Sequence, residues 1–291
     1  MNDKIRIGSF QGPVVENNVD QNLLKVKEVL HQTAEMGLDF LCFPETFLSG
    51  YSHRAVLESS MPLNDLRLVE FIQQTANYDT VILVGLSEQD GEKIFNTQIV
   101  VYRGRLIGKY HKTILTEEDK QVFCSDLDLP VFEAKGIRFG VVICHDTSFV
   151  EPALYLRWQG ARLLFTPHYN DIPPSGINTP NGKVSFWDHR TMVLNNQAAL
   201  ATLLKMVVVR SNVVIVKEDH LGAGDSNIWD MNGVVVASGT PFIECVVIGE
   251  FDRSIFLEEH WINRNQVPVE LLIKIAQAAQ DYPDIKSPPT T

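Results

Sequence analysis

Apolar and polar positions change their period several times along the chain, and each change marks an element. Lys4 to Ser9 alternates apolar and polar residues and ends at Gln11-Gly12-Pro13, which predicts a strand and its stop. From Asn22 to Met36 the residues Leu23, Leu24, Val26, Val29, Leu30 and Ala34 fall at helical spacing, and Gly37 closes the segment. Asp39 to Phe43 is a short apolar strand, so the chain opens strand, helix, strand, the order of a right-handed crossover between parallel neighbours. A polar loop leads to a helix over Leu66 to Ala76 and a buried strand over Thr80 to Leu86. Thr97 to Tyr102, the turn Arg103-Gly104 and then Leu106-Ile107 read as a hairpin, which makes the sheet mixed.

The second half has a similar plan. Val131 to Ala134 and Ile137 to Ile143 pair around Lys135-Gly136, a helix comes near Glu151 to Gln159, and a strand occupies Arg162 to Thr166. His168 to Lys183 is rich in Pro, Gly and Asn without periodicity and reads as a long surface loop, the kind that often serves as a lid or specificity element. Ser185 to Met206 is expected as one helix, with strands at Val213 to Val216, Ser226 to Trp229, Val234 to Ala237 and Val246 to Phe251. The tail from Glu270 predicts one short helix before DIKSPPTT. No repeat or composition break divides the chain. The expectation is an α/β protein with one domain over residues 1–291, a tail from about 255, and two similar layers folded face to face.

Charge narrows the partners. With 25 Lys and Arg against 36 Asp and Glu, the formal charge is −11, which disfavours nucleic acid and anionic membrane surfaces. The start MNDKIRIGSF has no secretory pattern, and no run approaches the roughly 20 apolar residues of a membrane helix. A cytoplasmic protein is the default expectation. Cys42, Cys124, Cys144 and Cys245 are scattered, without a C-x-x-C pair or zinc spacing, so reduced thiols are expected and no metal site. The absence of clustered His ligands also disfavours a metal-dependent amidohydrolase.

Three polar residues stand at the expected exits of apolar strands: Glu45 after Leu41-Cys42-Phe43-Pro44, Lys112 after Ile107 to His111, and Cys144 after Gly140 to Ile143. Each has an ordinary reading alone: a packed thiol, a first-turn acid, a solvated basic turn. At strand carboxyl ends, however, such groups converge in open α/β sheets. Their chemistry is complementary. A carboxylate can take the thiol proton, and an ammonium can stabilise the resulting negative charge, with no cofactor.

The segments FPETFLSGY at Phe43 to Tyr51, GKYHKTILT at Gly108 to Thr116, ICHDTSFVEP at Ile143 to Pro152, GARLL at Gly160 to Leu164 and GDSNIWDMNGVVVA at Gly224 to Ala237 carry a resemblance. Over roughly Ile5 to Glu250, the chain resembles the nitrilase superfamily of carbon-nitrogen hydrolases. That resemblance implies a four-layer αββα sandwich with two mixed central sheets. It implies Glu45 as general base and acid, Lys112 as oxyanion stabiliser, Cys144 as nucleophile and the His145 N–H as a second oxyanion donor. A homodimer or larger assembly through helices beside the site is a further implication.

Many members carry another glutamate a few residues after the lysine; here Asp119 falls at that place with Glu118 beside it, and its role stays open. Cys144-His145-Asp146 with Glu151 seven residues on is closer to the amidase and carbamoylase pattern than to the Trp-Glu of nitrilases, although Val150 replaces a usual proline. The expectation is therefore hydrolysis of a small amide or N-carbamoyl compound through a thioester-type intermediate on Cys144. A nitrile substrate and a non-catalytic metabolite-binding role are the alternatives. Tyr51, His53, His168 and Tyr169 are candidate pocket walls, and Asp146 and Glu151 are read as capping or starting the next helix.

Overall fold

Strand alternation decides which way each layer faces. In strand β1 (Lys4–Gln11) Ile5 and Ile7 point to one side, and in β2 (Phe40–Cys42) Phe40 and Cys42 do the same while Leu41 points to the other. The computed structural model describes residues 3–179, 182–257 and 267–281. Its further strands are β3 (Val81–Asp90), β4 (Lys93–Tyr102), β5 (Arg105–His111), β6 (Phe132–Ala134), β7 (Ile137–Val141), β8 (Leu163–Pro167), β9 (Ile177–Thr179) and β10 (Gly182–Val184). They continue with β11 (Val207–Ser211), β12 (Val214–Val216), β13 (Leu221–Ala223), β14 (Asn227–Trp229), β15 (Val235–Ser238) and β16 (Cys245–Asp252). The helices are α1 (Val19–Thr33), α2 (His53–Ser59), α3 (Leu66–Gln74), α4 (Glu151–Trp158), α5 (Phe186–Leu204), α6 (Ser254–Leu257) and α7 (Val269–Asp281).

Two six-stranded sheets form, ordered β16-β1-β2-β3-β4-β5 and β15-β14-β11-β8-β7-β6. In each, three parallel strands (β1-β2-β3 and β11-β8-β7) are flanked by antiparallel ones, so both sheets are mixed. Residues such as Ile7, Phe40, Leu83, Phe139, Phe165 and Val209 fill the space between the sheets. On the outer face of the first sheet Leu41, Ile82 and Ile99 pack against Leu23, Val26 and Leu30 of α1 and Phe71 of α3. On the second sheet Leu156 of α4 lies over Gly140, and the Arg157 Nε donates to Leu204 O at the end of α5. The architecture is a four-layer αββα sandwich, as expected.

The chain divides into two compact units, Met1–Glu258 and Glu259–Thr291. The sandwich belongs to the first; α7 is what is described of the second. The DIKSPPTT segment lies outside the described residues. Among those described, no helix is long and apolar enough to cross a membrane.

Three expectations need correction. Strand β11 begins only two residues after α5, past Lys205 and Met206, although the sequence pattern predicts no strand before Val213. The turn is made by Lys205 in the left-handed region (φ 50°), so no Gly or Pro announces it. Strands β3 and β4 run on past Leu86 and begin before Thr97, meeting at Gly91 (φ 61°). Their polar residues Ser87, Glu88, Asn96, Thr97 and Gln98 are buried, which hides the strands from a hydrophobicity reading. The stretch after β8 is not all surface: His168, Tyr169 and Ile172 are buried, and β9 and β10 pair antiparallel.

Gly85 on β3 supports the turn that carries Glu45. A Cβ there would lie 2.4 Å from Thr46 N and 2.7 Å from Pro44 O, so this turn rests directly on a bare Cα. Gly85→Ala is expected to cost about 1–3 kcal/mol by overpacking. A thermal melt checks this; an unchanged melting temperature would show that the turn does not depend on that contact.

Candidate active site

Strand β2 delivers Glu45, β5 delivers Lys112 and β7 delivers Cys144. Because β5 is antiparallel to β4 and β4 to β3, β5 runs in the direction of β2, and their carboxyl ends share one edge. The two sheets are tied at that edge: Ser211 Oγ donates to Cys42 O (3.0 Å), and Ser9 Oγ donates to Arg210 O (2.7 Å). Both turns that present reactive groups are tight. Thr46, next to Glu45, has φ 44°, and Cys144 itself has φ 46°, a left-handed conformation uncommon for either residue. Strain of this kind persists only where surrounding contacts impose it, and it concentrates at functional sites.

Lys112 is fully buried, and its Nζ lies 2.8 Å from Glu45 Oε1 and 2.8 Å from Asp119 Oδ2. It also sits over the Tyr51 ring, 5.7 Å from its centroid. Glu45 Oε1 further accepts from Asn96 Nδ2 (2.7 Å), and Oε2 accepts from the Tyr169 N–H (2.7 Å). The Cys144 thiol is close enough to the same carboxylate to feel its charge. Asp119 is held by the Tyr51 hydroxyl and by the Thr116 N–H (3.1 Å).

Burial and charge then act differently on each group. Burial pushes the Glu45 carboxyl up, and Lys112 offsets this only in part. Burial works the same way on Asp119, but Lys112, Tyr51 and Thr116 overcome it and hold that carboxyl below the usual range. Lys112 stays protonated well beyond the ordinary lysine value, because the surrounding negative groups, Glu45 foremost, outweigh its desolvation. The Cys144 thiol is pushed up, first by burial and then by the Glu45 carboxylate, so Lys112 does not keep a resting thiolate.

The expected site residues therefore sort clearly. Glu45, Lys112, Cys144, Tyr51 and Asp119 come together. Glu118, the neighbour of Asp119, is exposed and contributes to a cavity of about 330 Å³ outside the cluster that Tyr51, Asp119, Phe123 and Tyr169 also line. His145 is half-buried, set edge-to-face against Phe149 at 5.5 Å, and kept neutral by burial and by Lys112. His168 is buried, with its Nδ1 2.8 Å from Thr166 O and its carbonyl accepting from Glu45 N (3.3 Å); burial and then Arg210 hold it well below the usual histidine range. His53 sits on the rim of the outer cavity, and Tyr169 stacks on Tyr51 at 5.0 Å.

Asp146 does cap, as expected, but the helix it caps is the 3-10 turn Cys144–Ser148 and not the one that Glu151 starts: it is buried and accepts from Ile143 N (2.8 Å), and beyond that role also from Ile114 N (2.7 Å) and Tyr110 Oη (2.7 Å). It thus clamps the Cys144 turn to the loop beyond Lys112. Burial raises its pKa to about 6, against the three donors. Asn96 and the Tyr169 N–H were not legible as Glu45 partners; a polar residue amid a strand was the one available signal for Asn96. Among the described residues no cluster of His, Cys, Asp or Glu could hold a metal ion.

The sequence pattern of the carbon-nitrogen hydrolase family matches residues 6–255. The chain belongs to that family, within the nitrilase superfamily. A nitrilase of Pyrococcus abyssi is 30% identical over 153 residues, 51% of this chain and 58% of that protein. An (R)-stereoselective amidase of a Pseudomonas species is 26% identical over 246 residues, 84% of this chain and 78% of its own length. A solved carbon-nitrogen hydrolase superfamily protein, XC1258 from Xanthomonas campestris, superposes with a TM-score of 0.74 at 20% identity, covering 92% of this chain and 96% of that one. The match thus spans less than two thirds of the Pyrococcus protein, and it spans about half or less of the glutamine-dependent NAD+ synthetases that the chain also matches.

The clamp makes a stability prediction. Asp146→Asn turns one acceptor into an NH2 group facing a donor, and the expected loss is about 1–3 kcal/mol. Chemical denaturation measures it, and a midpoint equal to that of the native protein would show that Asp146 does not hold the two turns together.

Proposed function

We propose that this carbon-nitrogen hydrolase cleaves a small amide or N-carbamoyl compound through a covalent thioester-type intermediate on Cys144. The observation that carries the reading is a fully buried lysine held 2.8 Å from Glu45 and 2.8 Å from Asp119 at the strand edge that also presents the Cys144 thiol. Two carboxylates share one lysine, and their environments drive them apart: Asp119 is the permanent anion, Glu45 the group that takes and returns a proton.

In the first half-reaction Cys144 Sγ attacks the carbonyl carbon as its proton passes to Glu45. The carbonyl electrons move onto oxygen, where they are met by Lys112 and the His145 N–H. An ammonium has three donors; Glu45 and Asp119 engage two, which leaves the third for the oxyanion. Collapse breaks the C–N bond, and the departing nitrogen takes the proton from Glu45. In the second half-reaction water attacks the thioester while Glu45 takes its proton, and the acid leaves as Cys144 regains the proton. The raised thiol pKa fits this order, since the proton leaves sulfur during attack and not before.

The amidase relative and the Cys-His-Asp pattern favour amides over nitriles. A panel of aliphatic amides, glutamine, N-carbamoyl amino acids and nitriles with ammonia detection is expected to show turnover of amides or carbamoyl compounds, and none in Cys144→Ala. Turnover by Cys144→Ala would refute the covalent route, and turnover confined to nitriles would refute the amide reading.

The pH profile tests the assignment of Glu45. The free enzyme needs Glu45 ionised, so kcat/KM is expected to fall on the acid side above pH 4.5, the ordinary glutamate value. The Asp119 charge contributes to the raised value, so Asp119→Asn should move that limb to lower pH. A limb that stays put or moves up would show that another group sets it.

A further inference from the structure

Both peptide groups that flank Cys144 are pinned through their carbonyls. Ile143 O accepts from Asp146 N (3.0 Å), and Cys144 O accepts from the Thr147 hydroxyl (2.7 Å). A threonine that bonds back three residues is ordinary in a short turn. The surroundings of this one are unusual. Thr147 is 5% exposed, and its Oγ1 accepts from Nε2 of Gln197, a fully buried side chain on α5 (3.0 Å). A hydroxyl has a single hydrogen. With the Gln197 amide donating to the oxygen, that hydrogen is directed to Cys144 O. Gln197 meets only half of its own needs, because its Oε1 is buried with no hydrogen-bond partner. A buried acceptor left unmet costs stability, and a part in the working of a site is one of the few reasons for such a group.

The consequence lies on the other side of the same peptide. The bond between Cys144 and His145 is planar and trans, so its C=O and N–H point in opposite directions. Holding Cys144 O toward Thr147 therefore aims the His145 N–H the other way. The turn's backbone bond runs from Asp146 N to Ile143 O, so the His145 N–H, one residue earlier, has no acceptor within the turn. Cys144 has φ 46°, a conformation that a residue with a Cβ keeps only where such tethers impose it.

We propose that Thr147, set by Gln197, is a positioning residue that orients the Cys144–His145 peptide so that the His145 N–H meets the oxyanion. The proposal rests on the covalent route through Cys144, and its two tests keep the failures apart.

The kinetic test replaces the hydroxyl by a methyl in Thr147→Val. An interaction made only in the transition state lowers kcat and kcat/KM together and leaves KM in place. The expected loss in kcat is on the order of 10- to 100-fold, below the roughly 10²- to 10³-fold cost of removing an oxyanion donor outright. Thr147→Ser keeps the hydroxyl and should restore most of the rate. Iodoacetamide supplies the control: sulfur displaces iodide from the methylene carbon, the thiol proton leaves to base, and no charge develops on oxygen. Alkylation of Cys144, mapped by peptide mass, should therefore keep its native rate in Thr147→Val. Equal losses in alkylation and turnover would assign Thr147 a structural role and overturn the proposal, as would an unchanged kcat.

The second test needs no turnover. The Cys144 thiol adds to butyraldehyde: an S–C bond forms, the carbonyl π bond opens, and the thiol proton ends on the oxygen, which lies where the oxyanion would. Butyraldehyde should protect Cys144 from iodoacetamide, and Thr147→Val should need about 10-fold more aldehyde for the same protection, the worth of one hydrogen bond. No protection of the native protein, or equal protection in both, would overturn the positioning role. Protection that weakens in Thr147→Val, in an enzyme that hydrolyses no amide, would refute the amide reading and uphold the role of Thr147.

Discussion

A lysine with no solvent exposure, held between two carboxylates, is the constraint on which the rest of this site depends. Removing an ammonium from water costs several kcal/mol, and the cost is recovered only if partners meet it in good geometry. Here Lys112 comes from the end of β5, Glu45 from the turn after β2, and Asp119 from the loop beyond. None of the three has a reason to be buried without the others. The surrounding structure serves this convergence: Gly85 leaves room for the Glu45 turn, Asn96 and the Tyr169 N–H fix the carboxylate, and Asp146 binds the Lys112 loop to the Cys144 turn.

The same constraint sets the chemistry. With one positive charge and two negative ones in a dry site, the cluster does not hold a resting thiolate, and Cys144 waits as a neutral thiol. In the proposed chemistry such a thiol stays unreactive until a carbonyl arrives and its proton moves to Glu45.

Much of the fold could be read from periodicity, since β1, α1, β2 and the β6–β7 pair have apolar patterns that match their burial. Periodicity failed where burial is polar or punctuation is missing. Glu88, Asn96, Thr97 and Gln98 are inside the protein because they bond one another and the site, a reason that hydrophobicity cannot express. Strand β11 hides behind a lysine that turns as a glycine would. In the site, the order of Glu45, Lys112 and Cys144 at strand ends was legible, while the choice of Asp119 over Glu118 depends on which side of a short turn faces Lys112. Arg210 is the extreme case, because a charged residue in an apolar strand has no meaning until the Gly224 and Asp225 carbonyls it donates to are seen.

Bond formation between a substrate carbonyl and Cys144, beside this buried charge cluster, is the step on which the proposed chemistry stands or falls. Intact-mass analysis of the enzyme quenched in acid during turnover of a slow amide tests it most directly. The expected result is a mass increase equal to the substrate less ammonia, mapped to the peptide containing Cys144 and absent in Cys144→Ala. Sustained turnover with no adduct, or an adduct on Cys42, Cys124 or Cys245, would contradict it.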